Sequence, residues 1–279
     1  MKKIILVFIL VFSLLFSAVS AETNEGTELS LLAINVGKAD ALLLRSGNSV
    51  YLIDTGTKQS ADKLLSVLRS EGIDRLTGVI LTHTHADHVG GLKALVESDI
   101  VIENIYTPEY YTLKKEDGKH PVEKAIKKTD HRAVYLSAGT ELPLDGGKLT
   151  VLGPVELSET ENCNSLVLLA EGGGGSILLT GDMEFPEEDS LLKAGVIPAA
   201  DVLKVANHGE GDATSRLLVV TVQPKLAVIS TSSEEEPDTP DPRVLKLLAQ
   251  QGVETVITQD SETGVLITLK NGEISTEMK

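Results

Sequence analysis

Short apolar runs separated by turn residues make up much of the chain from Leu29 onward. The first three runs cover residues 29–36, 41–44 and 49–53. Runs of this length, rich in leucine, isoleucine and valine and bounded by glycine-containing turns, are typical of buried strands. Residues 60–69 change to a helical spacing that places three leucines on one face. The apolar run 79–82 then predicts a further strand.

A second block of the same kind follows the charge-rich stretch 107–128, in which only a short helix near 122–128 is predicted. In this block the pattern predicts strands at 133–136, 148–152, 165–169, 176–180, 202–205 and 226–230, helices at 187–194 and 242–252, and two last strands. Gly172–Gly175 predict a hairpin turn, because glycine adopts the positive φ that such turns need. Two strand-rich blocks, each with helices, predict an α/β fold of two mixed sheets packed face to face with helices outside.

The first 21 residues have the pattern of a secretory signal peptide. Two lysines precede the apolar core 4–16, and small residues lead to a predicted cleavage site after Ala21. Cleavage would leave one domain, residues 22–279, that is secreted or extracytoplasmic and has no further membrane span. An uncleaved anchor is the alternative interpretation of the same residues.

The chain is acidic, with a formal net charge of −16 that becomes −18 if the signal peptide is removed. This charge argues against tight, non-specific binding of DNA, which depends on a basic surface. It does not exclude a nuclease, because bound metal cations reverse the local field. Cys163 is the only cysteine, so no intramolecular disulfide can form. With no histidine next to it, Cys163 is interpreted as structural rather than as a nucleophile.

Residues 83–88, His-Thr-His-Ala-Asp-His, place four side chains that can bind a metal within six positions. A single histidine is more often structural than a ligand, but the whole chain has only six histidines, and this density favours a metal site. The strand at 79–82 and the glycines at 90 and 91 predict that the cluster lies in a loop at the carboxyl end of a strand.

Asp54, Asp182 and His208 share one context, because each follows an apolar run and has a glycine within two residues. Taken singly, each is equally well explained as a turn or capping residue. Taken with the histidine cluster, they are candidate partners, since loops at strand ends converge in α/β folds.

The sequence resembles the metallo-β-lactamase-fold hydrolases. The matching segments, in the family's order, are Leu52–Gly56, His83–Gly91, Leu179–Asp182 and Lys204–Gly209. Within the family the chain is most similar to the ComEC-type branch, the extracellular hydrolase domain of bacterial DNA-uptake channels. The segments Asn35–Ala41 and Asn164–Leu168 carry this finer resemblance.

The resemblance implies a four-layer αββα sandwich with two divalent metal ions, Zn or Mn, between its sheets. By analogy, His83 and His85 hold the first metal, Asp87, His88 and His208 hold the second, and Asp182 bridges them. Asp54 orients the site, and Asp54 and Asp87 are the predicted catalytic residues. A hydroxide shared by the two metals is the implied nucleophile.

Several positions depart from the family pattern, and we expect them beside the metals or against the substrate. Asn164 and Ser165 lie where many members have a third histidine for the first metal, which predicts weaker binding there. Asn207 and Glu210 replace the first histidine and the serine of a His-His-Gly-Ser run. Thr239 and Asp241 lie in the segment that replaces His-Pro-x-Pro, so a histidine near the substrate is missing.

The leading hypothesis is therefore a secreted metal-dependent phosphodiesterase or nuclease. One alternative is an esterase that acts on a cell-envelope polymer, such as the phosphocholine esters of teichoic acids. A β-lactamase or thioester hydrolase and a non-catalytic binding protein are further alternatives, because one fold hosts many chemistries. A redox role with iron is disfavoured, because His85 lies where the redox relatives have glutamate.

Overall fold

The structure, a computed structural model, describes residues 26–109 and 120–279. The predicted signal peptide, residues 1–21, lies outside the described residues. The strands are β1 Leu29–Ile34, β2 Leu42–Ser46, β3 Ser49–Ile53, β4 Arg75–Leu76, β5 Gly78–Ile80, β6 Val101–Ile102, β7 Ile105–Pro108, β8 Ala133–Leu136, β9 Glu141–Leu144, β10 Gly147–Gly153, β11 Val167–Gly172, β12 Gly175–Leu179, β13 Val202–Lys204, β14 Leu226–Ile229, β15 Glu254–Ile257, β16 Gly264–Lys270 and β17 Glu273–Met278. The helices are α1 Ala61–Ser70, α2 Ala86–Val89, α3 Leu92–Val96, α4 Pro121–Ile126, α5 Phe185–Ala194, α6 Arg216–Val222 and α7 Pro242–Gln250.

Most of these strands form two mixed sheets. The N-terminal sheet has the order β17-β16-β1-β2-β3-β5-β7-β8, and the C-terminal sheet has the order β15-β14-β13-β12-β11-β10-β9. In the first sheet β1, β2 and β3 are antiparallel, whereas β3, β5, β7 and β8 are parallel. In the second sheet β12 to β15 are parallel. The two C-terminal strands β16 and β17 complete the N-terminal sheet, so the sheets do not divide the sequence into simple halves.

The apolar side chains alternate between the two faces of each sheet, as the period of a strand requires. In β1, Leu29 and Leu31 point into the core between the sheets, while Leu32 and Ile34 pack on the other face with α1, α3 and α4. The outer face of the C-terminal sheet packs in the same way against α5, α6 and α7. The layers are therefore helix, sheet, sheet and helix, which confirms the predicted αββα sandwich.

The structure corrects several predicted elements. Helix α6 was not predicted because its sequence, RLLVVTV, is rich in β-branched residues that favour strands. Its N-terminus is stabilised by Ser215, whose side-chain oxygen accepts a hydrogen bond from the backbone N–H of Leu218 at 3.1 Å. Strands β7 and β9 were also missed, and three strands follow α7 instead of two. Among the described residues, no helix is both long and apolar enough to span a membrane.

Candidate metal centre

The candidate ligands lie where the carboxyl ends of strands from both sheets meet. Parallel strands β3 and β5 of the N-terminal sheet lead to Asp54 and to the histidine cluster. Parallel strands β12 and β13 of the C-terminal sheet lead to Asp182 and His208. Because parallel strands end at the same edge of a sheet, these loops converge, as the sequence predicted.

Four side chains form what we call the inner cluster: Asp87, His88, Asp182 and His208. One donor atom from each lies within 4.8 Å of all the others. The Asp182 Oδ2 atom is 3.1 Å from His88 Nε2 and 3.4 Å from His208 Nε2. Donors on a tetrahedral zinc ion with bonds of about 2.0–2.1 Å are separated by roughly 3.3 Å, so the spacing suits a first-row metal.

The outer cluster consists of His83 and His85 together with Asp182. His83 is buried, and its Nε2 atom is 3.7 Å from Asp182 Oδ2. The rings of His83 and His85 meet edge to face with centroids 4.7 Å apart. The His85 side chain is 45% exposed, and its Nε2 atom lies 3.7 Å from Glu161 Oε2. The Asp182 carboxylate therefore lies between His83 of the outer cluster and the two histidines of the inner cluster.

Three buried polar atoms of the two clusters make no hydrogen bond within the described part of the chain. They are His83 Nε2, Asp182 Oδ1 and His208 Nε2. Unsatisfied buried polar atoms are costly, and a metal ion is one of the partners that removes the cost. The residues present therefore fit a divalent metal, with both clusters supplying nitrogen and oxygen donors.

Contacts of the Nδ1 atoms fix the orientation of the two imidazole rings of the inner cluster. His88 Nδ1 is 2.8 Å from Asp54 Oδ2, and His208 Nδ1 is 2.9 Å from the carbonyl oxygen of Ser230. Both contacts suit an Nδ1–H that donates, which leaves Nε2 of each ring as the atom available to a metal. Asp54 also accepts hydrogen bonds from the backbone N–H and the hydroxyl of Thr82, at 2.8 and 2.7 Å. Asp54 thus contacts and orients a candidate ligand.

The charges of the inner cluster are strongly coupled. Burial lowers the pKa of His88, but the carboxylates of Asp182 and Asp54 outweigh it and hold the pKa well above its usual value. Burial also lowers the pKa of His208, but the nearby carboxylates, mainly that of Asp182, outweigh burial and raise this pKa to about 9. Burial raises the pKa of Asp182, yet His208 and His88 bring it well below its usual value. A metal would take the place of the protons on these rings.

The backbone around the site is unusual at three residues that are not glycine. Asp54, Asn207 and His208 have φ values of 60°, 46° and 54°, in the left-handed region. Such conformations cost free energy and persist where the surrounding structure enforces them, often at functional sites. Here they turn the chain sharply after β3 and β13, so that Asp54 and His208 point toward the converging loops.

Most of the remaining predicted site residues make hydrogen bonds that stabilise loops and do not contact the candidate metal ligands. Ser165 is the exception: its hydroxyl accepts a hydrogen bond from the Asp182 backbone N–H at 3.2 Å and lies 3.5 Å from His83 Nδ1. Asn164 bonds within its own loop, to Ser158 and Thr160. The other three side chains have the following partners: Asn207 with Asp212, Thr239 with Thr231, and Asp241 with the backbone N–H of Arg243 at the start of α7.

Several side chains at the site were not identified from the sequence. Thr82 joins Asp54 to the histidines, and its position just before His83 was the available signal. Glu161 accepts a hydrogen bond from the Thr84 backbone N–H at 2.8 Å as well as approaching His85, and nothing in the sequence pattern indicated it. Two ion pairs, Lys38–Glu210 and Asp40–Lys204, were likewise missed.

Cys163 is buried beside Glu184, with its Sγ atom 3.5 Å from Glu184 Oε2. Burial raises the pKa of the thiol, with the nearby Glu184 carboxylate acting in the same direction. A thiol held in its neutral form is a poor nucleophile. These contacts support the prediction that Cys163 has a structural role.

Comparisons with known proteins agree with the fold. Residues 34–232 match the sequence profile of the metallo-beta-lactamase superfamily. The chain is 28% identical over 249 residues to "ComE operon protein 3" of Bacillus subtilis, covering 82% of this chain and 32% of that protein. It is 28% identical over 221 residues to "Competence protein ComA" of Neisseria gonorrhoeae, covering 77% and 29% respectively. The chain therefore spans about a third of the length of these relatives, and the predicted similarity to ComEC-type proteins is confirmed.

A solved structure shows the same fold. The metallo-beta-lactamase fold protein YhfI of Bacillus subtilis superposes with a TM-score of 0.58 at 16% identity, covering 87% of this chain and 99% of that one. The superfamily match extends over well more than half of the sequence and includes every residue of both clusters. The chain accordingly belongs to the metallo-beta-lactamase superfamily.

Proposed function

We propose that this protein is an extracytoplasmic phosphodiesterase with two divalent metals, Zn or Mn, and that nucleic acid is its leading substrate class. The observation that carries the proposal is the position of Asp182. Its Oδ2 atom lies 3.1–3.7 Å from the Nε2 atoms of His88, His208 and His83, which belong to both clusters. A carboxylate placed between two sets of histidines suits a bridge between two metals.

In this proposal the inner cluster holds one metal and the outer cluster holds the other. When bound, such a pair supplies a strong nucleophile from water near neutral pH and stabilises the charge that develops on phosphoryl oxygens. The contribution of the chain is orientation. Asp54 and the Ser230 carbonyl fix the His88 and His208 rings, and Ser165 holds the backbone of Asp182.

The substrate assignment rests on relatives and on charge. The similarity to competence proteins favours nucleic acid. The net charge of −16 favours a smaller or less anionic phosphodiester, such as a phosphocholine ester of the cell envelope, as the second candidate. A β-lactamase-like site is less well supported, because Asn164 lies where many family members have a third histidine, and its side chain bonds within its own loop.

Hydrolysis of bis(p-nitrophenyl) phosphate by the purified protein tests the reaction class. We expect turnover that a chelator abolishes and that added Mn²⁺ or Zn²⁺ restores, with about two metals per chain by elemental analysis. Absence of turnover in protein that carries metal would refute the phosphodiesterase proposal and favour a binding role. The exposed acid Asp62, replaced by alanine, is the matched control for any change of Asp87.

Two substrates then separate the candidates. Single-stranded DNA and p-nitrophenylphosphorylcholine are compared by kcat/KM under the same metal conditions. A preference for DNA supports the nuclease, whereas a preference for the choline ester supports the envelope esterase. N-terminal sequencing of the exported protein tests the location, and we expect cleavage after Ala21.

A further inference from the structure

A buried ion pair joins the two sheets close to His88 of the inner cluster. Lys204 Nζ is 2.9 Å from Asp40 Oδ2, and both side chains are fully buried. Asp40 lies in the loop between β1 and β2 of the N-terminal sheet, and Lys204 is the last residue of β13 in the C-terminal sheet. The pair therefore crosses from one sheet to the other.

On the Asp40 side, the pair is bonded to the loops that carry Asp54 and Asp87. The backbone N–H of Asp40 donates to the carbonyl oxygen of Asp87 at 3.2 Å. The carbonyl oxygen of Asp40 accepts from the backbone N–H of Gly56 at 2.7 Å, two residues after Asp54. The Asp40 carboxylate also has an oxygen within 4.8 Å of donor atoms of Asp54 and His88.

On the Lys204 side, the pair is bonded to the strand ends that carry Asp182 and His208. The Lys204 ammonium donates to the carbonyl oxygen of Val205 at 2.9 Å, on the segment that leads to His208. The carbonyl oxygen of Lys204 accepts from the Thr180 hydroxyl at 2.6 Å, two residues before Asp182. One ion pair thus touches all the segments that supply the inner cluster.

A buried ion pair of this kind is weak evidence for a contribution to stability. Taking both charges out of water costs about as much as their attraction returns, and well-packed apolar residues of similar volume often serve a fold equally well. The location of the pair, between the segments of both sheets that supply the inner cluster, points instead to a positioning role. The Asp40 and Asp54 carboxylates also place negative charge close to His88. Lys204, paired with Asp40, supplies a balancing positive charge.

We propose that Asp40 and Lys204 are positioning residues that hold the loops of the two sheets in register, so that Asp87, His88, Asp182 and His208 converge on one metal. The inference rests on the proposed metal site but not on the substrate. Neither residue is expected to touch substrate or metal.

The test is a double variant, Asp40→Leu with Lys204→Met, which removes both charges and keeps most of the volume. A single replacement would leave one buried charge unpaired, and its failure to fold would not be informative. We expect the double variant to unfold at a temperature equal to or above that of the wild type. A double variant that does not fold would overturn the proposal, because the pair would then be a stabilising element.

Two measurements then report whether the candidate ligands are still correctly positioned, and neither requires catalytic turnover. In the metal-free protein, the imidazole ¹⁵N resonances of His88 and His208 report their tautomers and hydrogen bonds, and we expect both to shift. In titrations with Co²⁺, we expect an altered visible spectrum and affinity weaker by about 10- to 100-fold, the range for residues that support metal ligands. Unchanged resonances and unchanged Co²⁺ affinity in the folded double variant would overturn the proposal.

The control is the exposed pair Arg69–Asp99, which has a similar separation of 2.8 Å. Replacing both of its residues with alanine should change neither readout. If the wild type binds Co²⁺ yet cleaves no phosphodiester, the proposed function fails while the positioning inference is still tested. If the wild type binds no Co²⁺, the metal proposal fails, and the imidazole resonances alone decide the inference.

Discussion

The inner and outer clusters share Asp182 but differ in how firmly the fold holds them. The inner cluster has four donors, and its two rings are fixed by Asp54 and by a backbone carbonyl. The outer cluster adds one buried histidine, His83, and one histidine, His85, that is 45% exposed. Donors that are already in place bind a metal without an ordering cost. We therefore expect the inner metal to bind tightly and the outer metal to exchange.

The largest effect is expected from Asp87→Ala, which removes a donor from the inner cluster. We expect turnover to fall by about 10³-fold or more, since a metal contributes several kcal/mol to transition-state stabilisation. The side chain is only partly buried, so the fold should persist. The measurement is kcat/KM together with metal content and circular dichroism, with Asp62→Ala as control. Wild-type rates in Asp87→Ala would exclude the two-metal mechanism.

The inner cluster was also the part of the site that the sequence predicted best. Its residues lie in the segments that follow strands β5, β12 and β13. The ends of parallel strands converge whatever the loops between them do. The Asp40–Lys204 pair was not predictable in this way, because its partners are distant in sequence and belong to different sheets. Position in a pattern identifies which residues converge, but it does not identify the groups that orient them.

The outer cluster and the surrounding loops were predicted less well for a related reason. The spacing of the histidines indicated ligands, yet it gave no sign that Glu161 approaches His85 or that Asn164 bonds within its own loop. Side-chain direction in an irregular loop depends on tertiary contacts rather than on periodicity. The same reasoning applies to α6, where tertiary packing outweighs the strand preference of its β-branched residues.

The next largest effect is expected from His85→Ala, which weakens only the outer cluster. We expect metal content to fall from about two ions to one per chain and kcat to fall by about 10- to 100-fold, while the remaining metal stays tightly bound. Metal analysis after limited dialysis against a chelator provides the measurement. Loss of both metals would contradict the expected difference between the two clusters, because it would mean that metal binding at the inner cluster depends on the outer one.

A smaller effect is expected at the rim of the inner cluster, where Lys38 Nζ pairs with Glu210 Oε1 at 2.9 Å. Burial opposes the charge of Lys38, but Glu210 and then Asp87 raise its pKa, so the ammonium remains charged close to the site. Replacing Glu210 with glutamine frees this cation for a substrate phosphate. Partly exposed pairs are worth about 0.2–1 kcal/mol, so KM for an anionic phosphodiester should fall by roughly 1.4- to fivefold.

The effect of Glu210→Gln on KM should decrease at high salt, because screening weakens exposed charges. Lys38→Met should raise KM instead, and a neutral ester substrate should show neither change. An equal fall in KM for the neutral ester would mean that Glu210 acts by shape rather than by charge.

The smallest effect is expected from Cys163→Ser, which asks whether the segment beside the outer cluster supplies a hidden ligand. In the structure the thiol faces Glu184 rather than the histidines, and the serine hydroxyl can donate to the same carboxylate. Metal content should stay at about two per chain, turnover should change by less than about twofold, and the free energy of unfolding should fall by no more than about 1 kcal/mol. If one metal were lost instead, Cys163 would be a ligand of the outer cluster. The outer site would then have three protein ligands of its own beside Asp182, and its expected weakness would have no structural basis.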